Sequence, residues 1–164
     1  MVNVHSVDVD YLLQCHFVTR HIEQKWSGWR NYQDMKKECK GTPTVIKKGW
    51  GHELIWESNE KYCGKMLVFY KVGNQFSMHF HRDKDETWYV HKGEFLLNWI
   101  DTDTAITNTE HLKEGDTWRN NPLVPHQLKA LEENSIIIEI STQDLPEDNY
   151  RVAPGDGQSC QQNL

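Results

Sequence analysis

Cysteine is scarce in this chain and its spacing suggests no pairing. Cys15, Cys39, Cys63 and Cys160 are the only four in 164 residues, and no two of them form a Cys-x-x-Cys. A chain of this length can build a core without disulfide staples, so the four read as reduced thiols, not as a disulfide framework. Basic runs are missing as well. None exceeds the pairs Lys36-Lys37 and Lys47-Lys48, and 18 Lys and Arg against 24 Asp and Glu give a net charge of −6. That balance leaves no electrostatic footprint for nucleic acid and favours solubility. No segment approaches the roughly 20 apolar residues of a membrane span. The stretch Met1-Val-Asn-Val-His-Ser-Val-Asp-Val-Asp10 has neither the basic start nor the unbroken apolar run of a secretory leader, so a cytoplasmic protein without a membrane partner is expected. Gly-x-Ser-x-Gly, P-loop and Rossmann fingerprints are all absent, and no such motif competes for the role of active site.

Aromatic residues, by contrast, are plentiful: seven Trp, six Tyr and five Phe. They suit a barrel interior or a subunit interface. Residues 1–41 carry helical signals. Val9, Leu12, Leu13, His16 and Phe17 recur at helical spacing, and Asn31, Asp34, Lys36, Lys37, Lys40 and Gly41 mark the cap, first turn and end of a second short helix. Helices this short need a surface to pack on, so a helical N-terminal arm over 1–41 is expected to cover the barrel or a partner. From Thr44 the pattern changes to ten short β-rich runs broken by Gly64, Gly73, Gly93, Gly115, Pro122-Pro125 and Glu132-Glu133-Asn134, the rhythm of a sandwich or barrel. The expected organisation is the arm, an all-β barrel over 42–142 and a tail over 143–164 that wraps the surface.

Within the barrel, His79 and His81 are two apart on a predicted strand and share a face. The polar stretch Arg82-Asp83-Lys84-Asp85 suits a bend that returns Glu86 beside them on the next strand. His126 follows Gly115 and the proline pair Pro122-Leu-Val-Pro125. Any one of the nine histidines is ordinarily a hydrogen-bonded core or surface residue. Four ligands at these offsets on predicted strands point instead to a metal site. Three imidazoles and a carboxylate suit a divalent transition ion (Zn, Mn, Fe, Co or Ni) better than Ca or Mg.

The neighbours of these ligands suggest a substrate pocket. Trp88 and Val90 share the inward face of Glu86, so Trp88 either floors a pocket or plugs the barrel, and the two are compatible. Arg82 and Lys84, in the bend, are candidates to bind a phosphate or carboxylate, unless they are simply solvated. Glu139, alternating with Ile136, Ile138 and Ile140, lies either on a wet face or in the cavity. It is the candidate catalytic base.

The stretch from Gly73 through His79, His81 and Glu86 to Gly93 matches the spacing of the first cupin motif: glycine, five residues, His-x-His, four residues, Glu, six residues, glycine. The second motif is met by Gly115, a proline and His126, with Pro122 one place late, Leu123 where a glycine is usual and Ala130 in place of Asn. The chain therefore resembles the cupins, and the resemblance implies a jelly-roll β-barrel. Lys48-Gly-Trp50-Gly51-His-Glu53, Tyr62-Cys-Gly64-Lys65, Phe76 to Val90 and the ending Asp148-Asn-Tyr150-Arg151 through Gly155-Asp156-x-Gln158 resemble the sugar cupins related to type II mannose-6-phosphate isomerase. What this implies is a metal-dependent isomerase or epimerase acting on a sugar or sugar phosphate. Two alternatives remain open, an Fe(II)-dependent dioxygenase using the same ligands and a non-catalytic sugar-binding cupin. The resemblance also implies a homodimer, as do exposed sheet edges that need cover.

Overall fold

Alternation decides which way each strand faces. In Glu86–Lys92, Glu86, Trp88 and Val90 are buried while Thr87 and Tyr89 are exposed, the period of two of a strand with one face on a core. The computed structural model describes residues 41–157. Within them the strands are β1 (Thr44–Lys48), β2 (Gly51–Ser58), β3 (Cys63–Phe69), β4 (Met78–Phe80), β5 (Glu86–Lys92), β6 (Phe95–Asp101), β7 (Ile106–Leu112), β8 (Thr117–Asn120), β9 (His126–Ala130), β10 (Ser135–Ser141) and β11 (Tyr150–Ala153). The first ten fall where the sequence places them. β11 is an addition: the segment read as surface tail contributes a strand. The helical arm expected over 1–41 lies outside the described residues, Gly41 apart.

All pairings are antiparallel, in a six-stranded sheet of order β1-β2-β3-β10-β5-β8 and a five-stranded sheet of order β11-β4-β9-β6-β7. Their inner faces enclose a core that includes Phe69, Trp88, Val90, Phe95, Leu97, Leu128 and Ile137. Each such side chain, fully buried, stabilises the fold by about 1.5–3 kcal/mol. Gly93, between β5 and β6, has φ +80°, and a Cβ there would run into Ser135, so conformation and space both call for glycine.

The outer face of the larger sheet carries an apolar row. Val45, Leu54, Met66, Ile138 and Tyr89 are register partners in one row across five strands, and Val45, Tyr89 and the nearby Ile140 are exposed. Among the described residues, no helix is long and apolar enough to cross a membrane.

Candidate metal centre

The smaller sheet brings the histidines together. His79 lies on β4, opposite the first residue of β9, His126, and His81 follows directly after β4. Nitrogens of His79, His81 and His126 all lie within 4.8 Å of one another. The backbone sets how these rings point. Nδ1 of His79 is 2.7 Å from the Ser77 carbonyl, Nδ1 of His81 is 2.6 Å from that of Asp148, and Nδ1 of His126 is 2.9 Å from that of Val124. A carbonyl can only accept, so each Nδ1 carries a proton, and in the neutral ring Nε2 keeps its lone pair.

His81 and His126 are buried, and their Nε2 atoms have no hydrogen-bond partner. A buried acceptor left unpaired costs about 1–3 kcal/mol, and such a cost at convergent imidazoles is what a metal ligand set carries. Burial, reinforced by the neighbouring His126, depresses His79 to about 3. Burial also lowers His81, the Glu86 charge pulling the other way. Both rings are therefore neutral near pH 7, the form that binds a metal.

Glu86, at the start of β5, touches two of the three histidines. Its Oε1 lies 3.0 Å from Nε2 of His126 and accepts a hydrogen bond from Asn120 at 3.1 Å. Oε2 lies 3.8 Å from Nε2 of His81. The 3.0 Å contact is not a hydrogen bond. With the His126 proton on Nδ1, two acceptors face each other there, an arrangement that a cation between them would relieve. Burial opposes the Glu86 charge, but Lys84 holds the carboxyl well below its usual range. These are borderline donors in a closed setting and they fit a divalent transition ion.

Next to Glu86 lies a buried cluster of charge. Lys84 Nζ is 2.7 Å from Glu86 Oε2, 2.7 Å from Glu139 Oε1 and 3.3 Å from Asp144. Lys65 Nζ is 2.8 Å from Asp144 and 3.4 Å from Glu139. Burial and the Glu86 charge push Glu139 up, against the pull of Lys65 and Lys84. Burial acts to raise Asp144 too, yet Lys84 and Lys65 hold it at about 2. Two ammonium groups against three carboxylates leave this cluster an excess negative charge, which an adjacent divalent ion would offset.

These groups share a cavity of about 300 Å³ with His79, His81 and Trp88. Lys84 and Glu139, singled out in the sequence, are therefore brought beside Glu86 and the histidine cluster. Of its two sequence readings, Glu139 takes the cavity one, because β10 turns Ile136, Ile138 and Ile140 outward and Glu139 inward beside Ile137. Trp88 is both wall and core, 1% exposed, with Nε1 3.4 Å from Glu139 Oε2. Arg82 is not brought in: its side chain is two-thirds exposed and pairs with Asp83 at 3.2 Å. Lys65 and Asp144 escaped sequence reasoning. Lys65 alternates with Leu67 and Phe69 on β3, a signal that it faces inward, but Asp144 has no such signal.

Leu123 occupies the place where cupins usually have glycine, and it keeps the glycine conformation, with φ +67°. Its N–H donates to the His81 carbonyl at 2.7 Å, so the turn before His126 is tied to the strand it must meet.

Residues 66–140 match the family model described as a cupin domain. The chain has the cupin fold. CapF from Staphylococcus aureus, a capsular polysaccharide assembling protein, superposes with a TM-score of 0.60 at 11% identity over 72% of this chain and 34% of CapF. Oxalate decarboxylase from Bacillus subtilis gives 0.59 at 18% identity over 67% of this chain and 30% of that one. KdgF from Halomonas sp. gives 0.54 at 18% identity, covering 65% of this chain and 90% of KdgF. This chain thus spans only about a third of the CapF and oxalate decarboxylase chains, and these likenesses concern the fold alone. The oxalate decarboxylase is described with Mn(II) centres. No curated protein matches the sequence.

Proposed function

We propose that this cupin is a metal-dependent isomerase or epimerase of a sugar or sugar phosphate, with a divalent transition ion held by His79, His81, His126 and Glu86. The observation that carries the reading is the convergence of three imidazoles, two of them with unpartnered buried Nε2 atoms, beside a cavity that His79, His81, Lys84 and Glu139 line. An ion bound there supplies Lewis acidity toward a carbonyl or hydroxyl oxygen. The protein supplies the rest. Glu139, whose proton affinity burial raises, takes the proton from the carbon beside the carbonyl and returns it to the former carbonyl carbon, while the hydroxyl proton passes to the carbonyl oxygen. Lys84 and Lys65 hold Glu139 in place by their ion pairs, and Trp88 and Phe76 wall the cavity with apolar surface. Arg82, exposed as it is, has no part in this reading.

The choice of a sugar rests on the resemblance to the mannose-6-phosphate isomerase-like cupins. The description of CapF as a capsular polysaccharide assembling protein supports it. The test is proton exchange. Protein purified without added metal, analysed for its ion and incubated in D₂O with aldoses, ketoses and their phosphates, should place deuterium at the carbon beside the carbonyl. Glu139→Gln should lose exchange while keeping its metal. Native Fe(II) protein that instead consumes O₂ with its substrate would establish the dioxygenase reading, and metal-bound protein that binds sugar without exchange would establish a binding cupin.

We take the working assembly to be a homodimer, supported by the apolar row on the outer face of the larger sheet.

A further inference from the structure

The link between β4 and β5 belongs to neither ladder, yet it carries one histidine of the site and the lysine beside it. It is held from the segment that follows β10. Asp85 N–H donates to Thr142 Oγ1 at 3.1 Å, and Thr142 N–H donates to the Asp85 carbonyl at 3.0 Å. The stronger hold comes from Asp148, at the end of the 3-10 turn Pro146–Asp148 and 6% exposed. Its Oδ1 accepts the N–H of Arg82 at 2.7 Å, and its Oδ2 accepts those of Asp83 at 3.1 Å and Lys84 at 2.9 Å. Its backbone carbonyl accepts the Nδ1–H of His81 at 2.6 Å. One residue therefore grips four consecutive residues, 81 to 84, by three backbone amides and one ring nitrogen.

The geometry has two effects. The carbonyl fixes the His81 tautomer and turns Nε2 inward, while the carboxylate fixes the bend from which Lys84 reaches Glu86. If the carboxylate is lost, three adjacent N–H groups lose their acceptor and the bend loosens. The carbonyl that aims His81 then moves relative to the ring.

We infer that Asp148 is a positioning residue for the metal centre: by clamping residues 81–84 it sets how tightly the histidine trio holds its ion. This rests on the reading of His79, His81 and His126 as ligands but not on the reaction. Outer partners of ligating histidines typically account for about 10–100-fold in metal affinity, and an effect of about tenfold or more is expected here.

The test uses the full chain with Co(II) as probe, read by calorimetric titration and by the visible absorption of the bound ion. Asp148→Ala should raise the Kd for Co(II) about tenfold or more and change the absorption envelope as His81 reorients. Asp148→Asn, which keeps an acceptor oxygen and disturbs folding least, should fall between it and wild type. Asp101 caps backbone amides of Asp103 and Thr104 far along the chain. Its replacement by Asn controls for the loss of a turn-capping carboxylate and should leave Kd and spectrum unchanged. Should the alanine variant fail to fold, the asparagine variant decides. Wild-type Kd and spectrum in a folded Asp148→Asn protein would overturn the inference while leaving the metal site in place. A wild-type protein that takes up no Co(II) would remove both.

Discussion

In the proposed site, Lys84 and a metal ion would compete for one oxygen. Glu86 Oε2 is 2.7 Å from the lysine ammonium, so recruiting that oxygen to an ion means giving up a short charge-assisted hydrogen bond. Such a bond contributes about 1.5–3 kcal/mol net. Taking about 2 kcal/mol, Lys84→Met should tighten metal binding about 30-fold, at 1.4 kcal/mol per decade. The same change should weaken the metal-free protein. The buried Glu86 and Glu139 and the half-buried Asp144 would be left with Lys65 alone, and breaking a buried pair on one side costs about 3–5 kcal/mol. The two effects have opposite signs, which separates them from a general loss of structure. Chelator-competition titration gives the affinity, and urea unfolding with and without metal gives the stability. Lys65→Met is the control: Lys65 contacts Glu139 and Asp144, so its loss makes the cavity equally negative without releasing Glu86. Unchanged or weaker metal binding in a folded Lys84→Met protein, or an equal gain in Lys65→Met, would refute competition at Glu86.

Three further outcomes are expected. The folded pKa of His79, about 3, lies below the unfolded value near 6.5, so its contribution to stability is fully present above about pH 6.5 and lost as pH falls toward 3. Metal-free protein should therefore unfold at lower urea at pH 4.5 than at pH 7.5, with a smaller difference in His79→Gln; identical pH profiles for the two proteins would contradict this. At position 123, a non-glycine residue in the left-handed region costs about 1–2 kcal/mol, partly offset by the entropy glycine loses on folding. Leu123→Gly should accordingly be about 1 kcal/mol more stable than Leu123→Ala in thermal unfolding, and the reverse order would show that the turn is not strained. For the homodimer, sedimentation at micromolar concentration should give twice 19.4 kDa, and Ile138→Glu on the outer face should give monomer. An intact chain that sediments as monomer would dispose of the assembly.

Much of the site was legible because it is local in sequence. His79, His81 and Glu86 fall within eight residues, and the two-residue period of strands sends the histidines to one side. What was not legible depends on contacts across the chain. Asp148 meets His81 and Lys84 at separations of 67 and 64 residues, and nothing near Asp148 announces an inward-facing acid. Glu139 had two readings until the register of β10, which sets it opposite Lys65 and Trp88, chose between them. β11 was missed because all four of its residues are exposed, so it lacks the alternation that marks a half-buried strand. Exposure of Arg82 likewise follows from how its neighbours pack, since position in a bend does not say which way a side chain leaves it.

The place of β4 in its sheet bears on when the site comes into being. This three-residue strand has β9 on one side and β11 on the other, so His79 faces His126 across one ladder and Arg151 across the other. Neither neighbour is close to β4 in the chain. Pairings this distant incur loop-closure entropy before they return any contact energy, and they form late in folding. On a ribosome, the histidine trio cannot close until β9 has emerged, and the Asp148 clamp not until nearly the whole barrel has. Metal capture should thus be one of the last events in the maturation of this protein, and a nascent chain should hold no ion while its first two histidines wait for the third.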